Sequence, residues 1–111
     1  MTIAKPPIRK SLAGDGVHLW GPSYPKGTRL DPHMHREAQL VFAASGTMQV
    51  TTPQGRWLVP PGRAVWVPAR LEHAIDVLAD IEMRTLYFNV PWLARKAPRR
   101  NLDAEFVVRV S

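Results

Sequence analysis

The chain has 111 residues, a formal net charge of +6, 45% hydrophobic residues, eleven prolines and no cysteine. That length holds one domain with one core, and the missing cysteine excludes disulfides, thiolate metal sites and cysteine nucleophiles. The basic residues are dispersed apart from Arg95, Lys96, Arg99 and Arg100, a pattern closer to a solvated segment than to a nucleic-acid footprint.

Taken in order, residues 1–17 read as an irregular lead-in, because Lys5-Pro6-Pro7 blocks a helix. Gly14-Asp15-Gly16 is a turn signal, His18-Leu19-Trp20 a short edge strand, and Tyr24-Pro25-Lys26-Gly27 another turn. The densest β pattern follows. Gln39–Ala44 forms a strand, Ser45-Gly46 turns the chain, and Thr47–Thr52 alternates at period two. Pro53-Gln54-Gly55 closes a hairpin with Arg56–Val59. Ala64–Pro68 is a further strand, as is His73–Leu78; Ala79-Asp80 turns, and Ile81–Val90 is the longest strand. A short helix fits from about Leu93 until Pro98 interrupts it, and Phe106–Val110 reads as a last strand. Many short strands with frequent turns indicate a sandwich or barrel. No apolar run approaches the roughly 20 residues of a membrane span, and the N-terminus lacks the apolar region of a signal peptide, so a cytoplasmic setting is expected.

The chemistry lies in three of the four histidines. In a strand, His33 and His35 face the same side, and imidazoles on one face can share a metal ion. His73 must arrive from another strand. Gln39 has the right parity for a fourth ligand but lies about 13 Å along a straight strand. It joins only if residues 36–38 turn a corner. Glu37 is the competing oxygen ligand.

These residues carry a resemblance. Gly27, His33, His35, Gln39 and Gly46 stand at the spacings of the first cupin motif, and Gly62, Pro68 and His73 match the second. The chain resembles the cupin superfamily, which implies an all-β, double-stranded β-helix (jelly-roll) barrel. Gln39 replaces the acidic ligand of that pattern, and Arg70 and Val77 replace its glycine and asparagine. A neutral amide leaves a bound ion its full charge, so the implied cofactor is one divalent transition metal, whether zinc, nickel, iron or copper. A narrower resemblance, carried by QLVFAASG, GRWLVPPGRAVWVP and RTLYF, is to the N-terminal sensing domain of AraC-type transcriptional regulators. It implies a small-molecule effector, a homodimer, and DNA contact only through a C-terminal helix-turn-helix domain that is not in this sequence. The expected organisation is one cupin domain over residues 1–111. Its barrel core spans about 17–92, and a basic segment at 93–111 leads toward such a domain or acts as a dimer arm.

Further ligand-binding candidates are Glu37 beside the site, Trp66 as a stacking surface, and Arg84 as a carboxylate clamp if alternation turns it inward, with Tyr87 and Asn89 as hydrogen-bonding groups on the same face. Trp57 is a second stacking candidate, set against ordinary core packing. No catalytic residue is assigned. The reading is a sensing domain. A stand-alone metal-dependent dioxygenase or isomerase is the alternative, and so is a dimerisation module with a vestigial pocket, using Gln39–Ala44 or Arg84–Val90 as interface strands.

Overall fold

Period-two alternation of apolar and polar residues continues through two strands far longer than the turn signals within them suggest. The computed structural model describes residues 9–12, 16–97, 102 and 106–109. In chain order its elements are β1 (Arg9–Leu12), β2 (Val17–Trp20), β3 (Ser23–Tyr24), β4 (Arg29–His33), β5 (Ala38–Thr52), β6 (Gly55–Val59), β7 (Arg63–Val67), β8 (His73–Phe88), α1 (Val90–Lys96) and β9 (Phe106–Arg109). All pairings are antiparallel, in the order β1-β2-β8-β5-β7-β9, with β3 and β4 also on β8 and β6 on β5. The expected all-β cupin barrel is the architecture observed.

Ser45-Gly46 and Ala79-Asp80 do not reverse the chain as expected. They sit opposite each other at register shifts where β5 and β8 bend without breaking. Gly46 has φ +86°, and a Cβ there would overlap the Asp80 carbonyl oxygen. Only glycine accepts both that backbone conformation and that approach. The bend changes parity along β5: Val41 and Ala43 face the core before it, Met48 and Val50 after it. Both halves of β5 therefore point into one cluster with Val59, Val65, Val67, Ile75, Val77, Ile81 and Met83. Met48, Val50, Val59, Val65 and Val67 have no solvent exposure, and each such side chain contributes about 1.5–3 kcal/mol of burial.

Three other expectations change. β1 lies within the supposed irregular lead-in, and by pairing with β2 it removes β2 from the edge. The segments Gln39–Ala44 and Arg84–Val90 are not available as interface strands, because β5 and β8 are paired on both sides there and a paired strand offers no free backbone groups. The helix begins at Val90 rather than Leu93. Asn89 caps it by accepting from the Trp92 backbone N–H at 2.9 Å, Pro91 fills the first turn, and Arg95 and Lys96 occupy the last. The hairpin of β5 and β6 and the strand Ala64–Pro68 are found within a residue of expectation, and Trp57 packs against the core. Residues 13–15, and with them most of the Gly14-Asp15-Gly16 turn, lie outside the described residues, as do Arg99 and Arg100. β9 lays the end of the chain along β7. Among the described residues no helix is long and apolar enough to cross a membrane.

Candidate functional site

Antiparallel pairing sets His33, the last residue of β4, directly opposite His73, the first of β8. His35 does not reach them by strand alternation, since β4 has already ended. It stands in the bend between β4 and β5, where its carbonyl oxygen accepts the Arg70 backbone N–H at 2.7 Å. Arg70 holds φ +63°, so the loop after Pro68 turns sharply to make that contact. Ring centroids are 4.4 Å apart for His33–His73, 5.1 Å for His33–His35 and 5.7 Å for His35–His73. One ligating nitrogen from each lies within 4.8 Å of the others.

Two of the three rings are tied to the backbone through Nδ1. His33 Nδ1 lies 2.6 Å from the Asp31 carbonyl oxygen and His73 Nδ1 3.0 Å from that of Leu71. A carbonyl accepts only from Nδ1–H, which leaves the Nε2 lone pair of each ring free to ligate. His73 is 2% exposed and its Nε2 has no hydrogen-bond partner. Burial pushes its pKa down to about 4, the other two imidazoles adding to the effect against the opposing Leu71 hydrogen bond. Burial also lowers His35, as does His33, while Glu37 opposes the shift. Imidazoles oriented by the backbone at His33 and His73, with a buried unpartnered Nε2 on His73, suit a divalent transition metal. Gln39, second in β5 and 4% exposed, lies beyond the corner its ligand role required.

The cluster forms one part of a cavity of about 370 Å³ that His33, His35, His73, Gln39 and Tyr87 all line. The Tyr87 ring stands edge-on to His35 at 5.3 Å. Four other proposed ligand contacts lie elsewhere. Arg84 points away, because Met83, Thr85 and Tyr87 face the cavity at period two. It hydrogen-bonds the Met83 carbonyl instead, 3.8 Å from Glu82. It therefore shares no face with Tyr87, and Asn89 is the helix cap. Trp66 lies on the face of β7 opposite Val65 and Val67, where its Nε1–H donates to the Leu102 carbonyl and its ring packs on Phe88 at 5.4 Å. Glu37 lines a neighbouring surface depression with Arg36, Arg70 and Asn89. The sequence reading missed Trp20, Tyr24, Leu30, Ile75, Met83 and Thr85, which also line the cavity. Ile75, Met83 and Thr85 continue the odd-numbered series from His73 to Tyr87, a signal visible once β8 is one strand. The acid on the cavity wall, Asp31, is an exposed rim residue beside Arg29 at 3.5 Å.

Comparison with known proteins gives this geometry its relatives. Residues 23–109 match the family model of the AraC-like ligand binding domain. Over 55 residues, half of this chain, it is 40% identical to the HTH-type transcriptional regulator NimR of Escherichia coli strain K12, spanning 20% of that protein. Among solved structures, the Cupin 2 conserved barrel domain protein from Leptotrichia buccalis superposes with a TM-score of 0.65 at 22% identity, over 78% of this chain and 40% of that one. Oxalate decarboxylase from Bacillus subtilis superposes with a TM-score of 0.60 at 18% identity, over 82% of this chain and 23% of that one. Both structures share the fold.

Proposed function

The chain belongs to the AraC-like ligand binding domain family, and from that premise we propose that it is the effector-sensing cupin domain of a transcriptional regulator. The observation that carries this reading is the cavity itself. It joins three converging imidazoles to an apolar and aromatic wall, a build suited to holding a small molecule by one polar end. His33, His35 and His73 would hold one divalent transition metal (zinc, nickel, iron or copper), with Gln39 as a fourth ligand. Bound there, the ion supplies an uncompensated positive charge and a coordination position for an oxygen donor. His33 and His73 present their Nε2 atoms, their Nδ1–H groups being held by Asp31 and Leu71. Tyr87 braces His35.

In the full regulator the effector would bias two states of this domain, and a C-terminal helix-turn-helix domain would read the difference. The similarity to NimR supports that arrangement. A homodimer in the cytoplasm, where the DNA is, completes the reading, with the barrel core at about 17–92 and the basic segment 93–111 as linker or dimer arm. The test is a metabolite and metal screen on the purified chain by thermal shift and tryptophan fluorescence. Metal-dependent stabilisation by a small molecule supports sensing; a protein that responds to no metal and no metabolite sinks it.

The histidine cluster also supports a second reading, a metal-dependent cupin enzyme, and the likeness to oxalate decarboxylase shows that the fold hosts an enzyme. Against it stands the wall chemistry, in which the acid is a rim aspartate and no general base emerges. His73→Ala should abolish turnover of any substrate found if the enzyme reading holds, and should weaken effector affinity if sensing does.

A further inference from the structure

Two buried side-chain nitrogens among the described residues have no hydrogen-bond partner, His73 Nε2 and Trp20 Nε1. Both residues line the same cavity. A metal held by the three histidines would account for the first and would leave the second unexplained. A buried indole N–H without an acceptor costs about 1–3 kcal/mol, so its retention calls for an acceptor beyond the described residues, and a molecule in the cavity that Trp20 lines can supply it. Trp20 stacks on Tyr87 at 6.1 Å and 29°, and Tyr87 meets His35 edge-on at 5.3 Å. An aromatic wall therefore runs from the histidine cluster to the indole, one ring in between. Leu30, Ile75 and Met83 add apolar surface to the cavity. At about 370 Å³ it lies toward the small end of ligand pockets. Its acidic lining residue, Asp31, has a side chain 88% exposed and pairs with Arg29 at the rim, so no carboxylate among the lining residues faces the interior to repel an anion.

Resting on the sensing reading, we infer that the effector is a compact planar aromatic acid, its carboxylate on the His33–His35–His73 cluster and a second acceptor on the ring taking the Trp20 Nε1–H. Trp20 is then the residue that selects among such acids, because an acid without that acceptor leaves the indole unpaired.

The test titrates the ¹⁵N-labelled chain, with and without zinc, with benzoate, 3-hydroxybenzoate, 4-hydroxybenzoate and cyclohexanecarboxylate, and follows the four assigned indole N–H resonances. A hydroxybenzoate should bind about tenfold tighter than benzoate, the worth of one recovered buried hydrogen bond, and should move the Trp20 resonance. Cyclohexanecarboxylate should bind more weakly than benzoate. Trp20→Phe should bring the affinity for the hydroxy acid down to that for benzoate and so erase the preference. A Trp20 resonance that stays in place through saturation overturns the inference, as does an unchanged preference in the variant. The wild-type titration decides the matter even if the variant does not fold. If none of these acids binds, the aromatic-acid inference fails while the sensing reading still stands or falls on the broader screen.

Discussion

His73 shows how one residue can be legible in type and illegible in setting. The spacing of His33, His35 and His73 against Gly27, Gly46, Gly62 and Pro68 places three imidazoles at one barrel mouth. It did not show that His33 and His73 are register partners, or that a left-handed Arg70 holds the His35 carbonyl. Contacts of that kind depend on loop geometry, which one-dimensional periodicity does not encode. The candidates Trp66 and Arg84 failed for a related reason, since a side chain's face follows from a parity that only the true strand limits define. Three expectations follow at this scale. Replacing His73 by alanine should abolish stoichiometric zinc uptake, read by metal analysis after dialysis; full retention would remove the cluster as a metal site. Stability without metal should fall with acidification. An unfolded His73 takes up a proton near pH 6.5 while the folded one resists until about pH 4, so the unfolded state binds more protons in that window and is favoured as pH falls. The contribution is whole above pH 6.5 and gone below 4, and lowered His35 adds in the same direction. Urea midpoints in chelator at pH 7.5, 5.5 and 4.5 should decline in that order, and more steeply than in His73→Phe. Arg70→Gly should raise stability by about 1 kcal/mol, the cost of a left-handed non-glycine residue, seen as a higher urea midpoint; a lower midpoint would mean that the arginine side chain matters more than its backbone.

At the scale of elements, the short strands and the hairpin Met48–Val59 were readable because period-two patterns and turn residues coincide there. The two long strands were not. Ser45-Gly46 and Ala79-Asp80 have the composition of turns, and composition cannot tell a chain reversal from a bulge. Tertiary pairing decides it, since the two irregular stretches face each other and let β5 and β8 fold across the core together. This makes Gly46 a structural requirement of both strands. Gly46→Ala adds a Cβ where the Asp80 carbonyl already sits, at φ +86°, and neither neighbour is a flexible side chain that can swing away. The expected loss exceeds about 3 kcal/mol, the range reserved for strain and overpacking in a core. Chemical denaturation measures it, and a loss under about 1 kcal/mol would mean that the bend tolerates a second geometry. Gly55, by contrast, has only the flexible Trp57 ring, two residues along the same strand, near an added Cβ, at ordinary contact distances, so Gly55→Ala should change stability far less.

For the whole molecule, the question is what a charge of +6 does when the described residues hold no DNA-reading element. A sequence-specific helix-turn-helix needs a recognition helix set in the major groove by a second helix. Among the described residues there is one helix, Val90–Lys96, seven residues long. Its Trp92 packs over Gly16, where a Cβ would overlap the indole, and the Asn89 N–H donates to the Gly16 carbonyl at 2.8 Å. That helix is thus docked on the barrel, with Arg95 and Lys96 exposed at its end. A surface with dispersed positive charge attracts phosphate without reading bases. The isolated chain should therefore bind any duplex of equal length with the same affinity, within about twofold, and that affinity should fall steeply between roughly 50 and 200 mM salt as released counterions lose their entropic advantage. Fluorescence anisotropy with two unrelated duplexes across a salt series measures both quantities. A preference beyond about tenfold for one sequence, persisting at the higher salt, would show base readout by this chain itself and would contradict the division of labour proposed for the regulator, in which the barrel senses and a separate domain reads.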